Sequence, residues 1–230
     1  MMGNKKEIQK QILHFKQELS PARLLAVTKY SELEDLISAY EAGQRDFGES
    51  RIQDLKAKAE ELSSRGYLDI RWHFIGHIQS NKFNRLLKIP GLTYIHSIDS
   101  FKILEDLYKK EDHFEGQYLR FFLEFKTTDE DEKGGIDSYD ELAKCTNFIL
   151  NHPQSKFIFH GLMTMGPIRT ENFEEDAIKS FKKLRKTRDQ LKADFDLPKL
   201  KLSMGMSSDY KFALKEGSDW VRIGSSIFKE

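Results

Sequence analysis

One lysine of this chain stands where an amine could react with a carbonyl compound. Lys29 follows the short apolar run of residues 24–27, which has the pattern of a buried strand. Partial desolvation at such a strand end favours the neutral amine, which attacks an aldehyde and forms an imine. The ordinary alternative for a strand-end lysine is a solvated cation. Lys29 is therefore a candidate for covalent attachment of a ligand.

Two segments near the C-terminus have the composition of phosphate-binding loops. The apolar run 220–223 ends in Gly224 and Ser225, and small residues dominate the segment 203–209, which precedes a predicted helix. Glycine lets the backbone approach a ligand closely, and exposed N–H groups supply donors to an anion. Two ordinary turns are the alternative. Together with Lys29, these segments predict a phosphorylated aldehyde that is held as an imine.

Short apolar segments that alternate with amphipathic ones must position these groups. The predicted strands are residues 23–28, 46–48, 71–75, 93–97, 118–125, 156–161, 199–203 and 220–223. This alternation favours parallel pairing through right-handed crossovers. We therefore predict one α/β domain over residues 1–230, a (β/α)8 barrel of the TIM type with an additional helix at about residues 7–19. An open doubly wound sheet is the competing architecture.

The barrel hypothesis gathers the candidate site residues at one end of the molecule. Functional groups of such barrels lie where the strands end and the following loops begin. A set of binding residues that converges there also argues against a pure interaction protein. We expect the following residues to form the binding site: Lys29, Ser50, Asn81, Met163, Ser203, Ser207, Arg222, Gly224 and Ser225.

Arg222 and the histidines His73 and His77 could each have either a structural role or a role in ligand chemistry. Arg222 could form a salt bridge, or it could donate to a ring nitrogen or an anionic group with its planar, permanently charged guanidinium. His73 lies within a predicted strand, which favours a hydrogen-bonded core histidine, whereas His77 follows that strand in a loop. Neither histidine has neighbours at metal-ligand spacing, so we predict no metal site.

Composition excludes several classes of function. Lys and Arg number 37, as do Asp and Glu, so the formal net charge is zero and does not predict a nucleic acid or membrane partner. The mean hydropathy is −0.60, and the sequence has no long apolar run that would span a membrane. Cys145 is the sole cysteine, which excludes an intrachain disulfide and favours a cytoplasmic location.

Seven short segments of the sequence together indicate a family. The segments are AVTK at 26–29, FGE at 47–49, WHFIG with QSNK at 72–82, HSID at 96–99, GLMTM at 161–165, LSMGMS at 202–207 and VRIG at 221–224. In this order, and over roughly residues 23–228, they resemble the YggS/PROSC family of pyridoxal phosphate homeostasis proteins.

The resemblance implies a fold-type III barrel like the N-terminal domain of alanine racemase, with pyridoxal 5′-phosphate (PLP) as cofactor. It implies that Lys29 carries the cofactor as an internal aldimine, and that Arg222 faces the pyridine nitrogen. Residues 203–207 and 224–225 would hold the phosphate. Ser50 departs from the asparagine usual in the family, so a hydrogen bond from that amide would be lost or bridged by water. Lys133 matches a lysine of the family's loop.

The resemblance favours a cofactor carrier over an enzyme. Family members act in PLP homeostasis or delivery without established catalysis, which suggests apo PLP-dependent enzymes as recipients and a monomeric carrier. The alternatives are a small PLP-dependent racemase or lyase, and a phosphosugar aldolase that forms its Schiff base on Lys29. A racemase of the alanine type needs a second base from another domain. We expect none here, since only residues 225–230 follow the last predicted strand.

Overall fold

The computed structural model describes residues 2–128, 134–167 and 170–228, and within them eight parallel strands form a closed barrel in chain order. The strands are β1 (Arg23–Val27), β2 (Asp46–Glu49), β3 (Arg71–Phe74), β4 (Leu92–Ile98), β5 (Leu119–Glu124), β6 (Phe157–Met163), β7 (Lys201–Met206) and β8 (Trp220–Ile223). Pairing of β1 with β8 closes the barrel. The predicted (β/α)8 barrel is confirmed, and the open doubly wound sheet is wrong.

Helices surround this barrel on its outer face. They are α1 (Met2–Glu18), α2 (Leu33–Glu41), α3 (Ile52–Ser64), α4 (Phe83–Leu86), α5 (Phe101–Tyr108), α6 (Tyr139–Leu150), α7 (Phe173–Asp194), α8 (Tyr210–Lys215) and α9 (Ser225–Phe228), with 3₁₀ turns at Ser80–Lys82 and Glu111–His113. The additional helix α1 begins five residues before its predicted start. Lys133, the predicted family loop lysine, lies outside the described residues.

Helix α1 is held to the barrel by an apolar stripe with helical spacing. Ile8, Ile12, Phe15 and Leu19 are all buried, and they recur at intervals of three or four residues on one face. The ring of Phe15 meets the edge of Tyr210 at a centroid distance of 5.8 Å. Burial of four large side chains explains why a helix with many charged residues docks stably.

Aromatic and histidine rings fill the interior of the barrel. His73 stacks on Tyr94 with ring centroids 4.2 Å apart, and His96 packs against Phe122 at 4.5 Å. Trp220 contacts both histidines and is 1% exposed. A barrel of this size encloses a packed core, so a ligand has access only at its end.

Strands β6 and β7 extend further than the sequence predicts. Their predicted ends were Gly161 and Ser203, yet the strands continue to Met163 and Met206. Gly205 adopts φ +94°, and the pairing register shifts between Ser203 and Met206, so the strand accommodates an irregularity without ending. The consequence is that Ser203 lies within the barrel and does not open a loop.

The sole cysteine is part of the helical layer. Cys145 lies in α6 and is fully buried. Burial raises the pKa of its thiol to about 12, and the nearby carboxylate of Glu141 adds to that rise. Cys145 is therefore an apolar packing residue with no reactive thiolate.

No helix among the described residues is long and apolar enough to cross a membrane. The same part of the chain contains no cluster of three or more His, Cys, Asp or Glu side chains that could hold a metal ion.

Candidate cofactor site

A cavity of about 550 Å³ opens at the C-terminal ends of the strands. It lies where a (β/α)8 barrel carries its functional site, and its volume suits a small molecule. The structure brings together seven of the nine predicted site residues on its wall: Lys29, Ser50, Met163, Ser207, Arg222, Gly224 and Ser225. The other lining residues are Val27, Tyr30, Ser31, Ile75, Met165, Met206, Ser208 and Phe228.

Gly224 lets the ends of β8 and β1 approach each other beside the cavity. A Cβ atom at this position would lie 2.9 Å from the carbonyl oxygen of Val27, too close for any residue other than glycine. The helix α9 begins at the next residue, and the carbonyl of Gly224 accepts from the N–H groups of Ile227 and Phe228. The glycine thus places Ser225 and the Lys29 end of β1 on the same cavity wall.

Lys29 is more exposed than the sequence predicts. It lies two residues beyond the end of β1, and its Nζ sits 5.2 Å from the ring centroid of the exposed Tyr30. The expected desolvation of its side chain is therefore wrong in this structure, because the cavity is open above the strand end. Ser225 is also exposed and Ser207 half-buried. We call Lys29, Ser207 and Ser225 the cavity rim.

A buried ion pair fixes the backbone immediately before Lys29. The Nζ of Lys58, on α3, donates to the carbonyl oxygen of Thr28 and to Oε1 of Glu49, both at 2.6 Å. The Thr28 hydroxyl donates to the same Glu49 oxygen at 2.7 Å. Thr28 and Glu49 are both fully buried. Since the acceptors are buried and the Lys58 side chain is only 16% exposed, these bonds hold the backbone immediately before Lys29 in place.

Arg222 forms the base of the cavity and is 6% exposed. Its Nη1 donates to both the carbonyl and the hydroxyl oxygen of Ser203 at 3.0 Å, and its Nη2 donates to the Thr164 carbonyl at 2.9 Å. Burial lowers the pKa of the guanidinium, while Asp209 and Glu124 raise it. An arginine nevertheless remains charged in a protein. The protein therefore presents a fixed cation to whatever enters the cavity.

Ser203 supports Arg222 from below and does not line the cavity. Its hydroxyl lies 2.9 Å from Nδ1 of His96, and Nε2 of His96 lies 2.9 Å from Nδ1 of His73. Nε2 of His73 in turn lies 3.1 Å from Oδ1 of Asp46. A continuous chain of hydrogen bonds therefore crosses the barrel interior, from Arg222 at the cavity to Asp46 at the start of β2. We call Arg222, Ser203 and His96 the cavity floor.

The far end of this chain is anchored by an ionised carboxylate. Burial alone would raise the pKa of Asp46, but hydrogen bonds from Arg71 and His73 outweigh burial and lower it to about 2. Arg71 donates from Nε and Nη2 to the two carboxylate oxygens, at 2.7 and 2.6 Å. Asp46 is therefore an acceptor only, while Arg222 at the other end is a donor only.

These two ends determine the direction of every bond between them. Burial lowers the pKa of both His73 and His96, so both rings are neutral. His73 must donate from Nε2 to Asp46, which leaves its Nδ1 to accept from Nε2–H of His96. Nδ1 of His96 then accepts from the Ser203 hydroxyl, whose oxygen accepts from Arg222. Only one tautomer of each histidine fits, and the predicted role of His73 as a hydrogen-bonded core histidine is confirmed.

The buried carboxyl group of Glu124, near the cavity floor, was not predicted from the sequence. Glu124 is the last residue of β5 and is 7% exposed. Burial, and after it the nearby charge of Asp99, raise its pKa to about 7 against the opposing effect of Arg222. Glu124 can thus carry a proton near neutral pH, the range in which proton exchange is useful. The sequence signal that could have indicated a buried acid here is a glutamate at the end of the apolar run 119–125.

Two further residues of the sequence analysis lie away from the cavity. Asn81 is exposed on the 3₁₀ turn Ser80–Lys82 and does not line it. His77 is also exposed, and its Nδ1 lies 2.9 Å from Oδ2 of Asp99. Asn81 therefore has no contact with the cavity.

The donor set suits a phosphorylated aldehyde with an aromatic nitrogen. The cavity presents an amine, serine hydroxyls on two adjoining loops and a buried cation, while Gly224 forms a cradle that a Cβ would fill. Met163 and Met165 provide an apolar wall against which an aromatic ring could pack. The residues present therefore fit PLP, the cofactor expected from the sequence.

Comparisons with known proteins agree with this geometry. Residues 4–230 match the family model described as the N-terminal domain of alanine racemase. A pyridoxal phosphate homeostasis protein of Schizosaccharomyces pombe is 36% identical over 206 residues, 89% of this chain and 82% of its own length. A homologue from Synechocystis is 35% identical over 210 residues and has the same name, with 90% of both chains covered.

Comparison with solved structures also finds PLP-related proteins of the same fold. PipY of Synechococcus elongatus, solved with PLP bound, has a TM-score of 0.81 and 29% identity, covering 96% of this chain and 99% of its own. Alanine racemase of Corynebacterium glutamicum shares only the fold, with a TM-score of 0.74 at 14% identity over 96% of this chain and 60% of its own. The chain belongs to the pyridoxal phosphate homeostasis proteins of the alanine racemase N-terminal-domain family.

Proposed function

We propose that this protein binds PLP covalently through Lys29 and acts in intracellular PLP homeostasis, without turning over a substrate of its own. The observation that carries the proposal is the convergence of Lys29, Arg222 and Ser225 on one cavity of suitable size. The name shared by the homologues, and PLP in the PipY structure, support it. PLP bound to a lysine supplies an electrophilic imine that exchanges with amines.

The residues of the cavity divide the work of binding. Lys29 Nζ would hold the cofactor by condensing with its aldehyde, whose oxygen would leave as water, and the Thr28–Glu49–Lys58 cluster holds the strand that carries Lys29. Ser207, Gly224 and Ser225 would hold the phosphate, and Met163 would pack against the ring. Arg222 would donate to the pyridine nitrogen, and a permanent cation there would keep that nitrogen unprotonated. A weak electron sink results, which supports a carrier over an enzyme.

The other three predicted site residues are Ser50, Ser203 and Asn81, and we assign each a role from its position relative to the cavity. Ser50 lines the cavity, and we assign its hydroxyl a direct or water-bridged bond to the cofactor. Ser203 acts through Arg222, and Asn81 requires movement of its loop to reach the ligand. We further propose that the carrier is a cytoplasmic monomer that delivers PLP to apo PLP-dependent enzymes and has no nucleic acid or membrane partner.

The proposal is tested by trapping the cofactor. Purified protein is incubated with PLP, reduced with borohydride and mapped by peptide mass spectrometry. We expect a yellow protein whose reduced adduct lies on Lys29, and complete loss of that adduct in Lys29→Ala. The matched control is Lys199→Ala, an exposed lysine outside the cavity.

Three other outcomes would contradict the proposal. An adduct that persists at wild-type level in Lys29→Ala rejects Lys29 as the attachment site. A protein that stays colourless with PLP but forms a reducible adduct with a phosphosugar supports the aldolase alternative, since that imine has no visible absorbance. Steady release of product from amino acids would support the racemase or lyase alternative.

A further inference from the structure

A second, larger cleft of about 870 Å³ lies directly outside the cavity, between the start of α3 and the segment from Gln79 to Lys88. It is open to solvent and is not part of the barrel mouth. The residues that line it are Ser50, Arg51, Ile52, Gln53, Lys56, Glu60, Phe74, His77, Gln79, Lys82, Asn84, Arg85 and Lys88. We call it the basic cleft.

Five cations and one carboxylate line this cleft, although the chain as a whole is neutral. Lys56 lies 3.6 Å from Glu60, the single acid. The other four cations form no ion pair with any residue that the structure describes: Arg51, Lys82, Arg85 and Lys88. A concentration of unpaired positive charge in a concave surface focuses the field and attracts anions.

The basic cleft and the cavity share a thin wall. Ser50 lines both of them, and Phe74 of the cleft precedes Ile75 of the cavity in the chain. Gly76 makes this wall thin, because a Cβ atom there would lie 1.9 Å from the carbonyl oxygen of Ser50. The cleft and the cavity therefore adjoin at Ser50.

We propose that the basic cleft is a second, non-covalent site for a phosphate-bearing ligand, which holds PLP before it enters the cavity and after it leaves Lys29. The inference rests on the proposed function, since it assigns the cleft to the same cofactor. The phosphate monoester is a dianion near neutral pH, and four unpaired cations exceed what neutralising it requires. The open cleft permits the rapid exchange that a carrier needs.

The kinetic test compares two variants that lose the same charge. Arg85→Gln with Lys88→Gln removes two cations of the cleft, and Lys182→Gln with Lys186→Gln removes two exposed cations of α7, outside the cleft. Stopped-flow absorbance follows capture of PLP by Lys29 at low and high salt. We expect the cleft variant to react about fivefold more slowly at low salt, with the difference lost at high salt.

Pyridoxal, which lacks the phosphate, provides the ligand control. The inference requires both variants to capture pyridoxal at the wild-type rate, and it requires the α7 variant to capture PLP at that rate. Equal PLP capture rates for the cleft variant and the wild type at low salt would overturn it. A wild type that forms no adduct on Lys29 would instead reject the proposed function.

A binding experiment tests the cleft without using Lys29. Inorganic phosphate is titrated into isotope-labelled protein, and backbone amide NMR signals are followed. We expect saturable shifts around Arg85 and Lys88 in the wild type and in the α7 variant, and loss of those shifts in the cleft variant. Non-saturable shifts, or identical shifts in the cleft variant, would overturn the inference whether or not PLP binds to Lys29.

Discussion

The floor and the rim of the cavity carry similar residue types, a cation and serine, but differ in burial and hydrogen bonding. At the floor, Arg222 and Ser203 are buried and hydrogen-bonded in fixed directions. At the rim, Lys29 and Ser225 are exposed. Under the proposed function, the group that orients the ligand is buried and fixed, whereas the groups that react or exchange are open to solvent. Such a division would suit a carrier, because exchange requires an accessible attachment point over a rigid base.

The largest expected effect concerns the support beneath the rim. Lys58→Met leaves the carboxylate of Glu49 fully buried without its cation, and loss of one partner of a buried pair costs about 3–5 kcal/mol. We expect the free energy of unfolding, measured with urea, to fall by this amount.

Lys56→Met is the matched control on the same helix. Its side chain and that of Glu60 are each 57% exposed in their pair, and exposed pairs contribute about 0–1 kcal/mol. Equal losses in the two variants would mean that the Lys58 pair is solvated and does not fix the end of β1.

A somewhat smaller effect is expected from Glu124, and it depends on pH. Its pKa in the folded protein is raised to about 7, so the folded state binds this proton more tightly than the unfolded state. The resulting stabilisation is complete below the ordinary glutamate pKa and is lost as the pH rises through about 7. The lost contribution is on the order of 3 kcal/mol.

Urea unfolding between pH 4.5 and 8 measures this effect in the wild type and in Glu124→Gln. The difference in stability between the two proteins should shift in favour of the glutamine variant as the pH rises. A difference that is constant across the range would show that Glu124 titrates as an ordinary carboxyl. It would then remove this group from the set of proton carriers near the floor.

Ser203→Ala should reduce the free energy of unfolding by less than the two effects above. Together with a matching change at the rim, it allows the floor and the rim of the cavity to be compared directly. It removes the link between Arg222 and His96 and leaves Nδ1 of the histidine buried without a donor. An unsatisfied buried group costs about 1–3 kcal/mol. The corresponding change at the rim, Ser225→Ala, should alter stability by less than about 0.5 kcal/mol.

Nitrogen NMR of the wild type tests the direction of the same bonds. Nδ1 of His96 and of His73 should both carry no proton, and both Nε2 atoms should be protonated. In Ser203→Ala the same tautomer of His96 should persist, because Asp46 still fixes the direction of the bonds through His73, and the 15N signal of Nδ1 should shift because it has lost its hydroxyl donor. A protonated Nδ1 in wild-type His96 would reverse the chain and contradict the proposed support of Arg222.

Much of the barrel was predictable because strand and helix periodicity is local. All eight predicted strands occur in the described residues, but β6 and β7 end two and three residues beyond their predicted ends. Glycine normally indicates a strand end, and at Gly161 and Gly205 it instead accompanies positive φ within continuing strands. Whether a glycine ends a strand depends on the neighbouring strand, which sequence spacing does not contain. The single domain over residues 1–230 stays a prediction.

The site shows the same division between local and non-local information. Strand-end positions placed Lys29, Arg222 and Gly224 on one cavity correctly, because the barrel topology brings strand ends together. Their contacts with the cofactor stay predictions. The chain from Arg222 to Asp46 could not be derived, since it needs the side-chain directions of five strands. The Lys58–Glu49 pair was missed because nothing in the spacing shows that a helical lysine reaches the end of β1.

The buried thiol has a practical consequence for studying exchange of the cofactor. Because Cys145 is enclosed in α6 and its thiol pKa is raised to about 12, the folded protein offers no reactive sulfur to maleimide reagents. A cysteine introduced by Asn84→Cys would therefore be the sole labelling position. A fluorophore there would report the passage of a phosphorylated ligand in real time, without prior removal of a native cysteine.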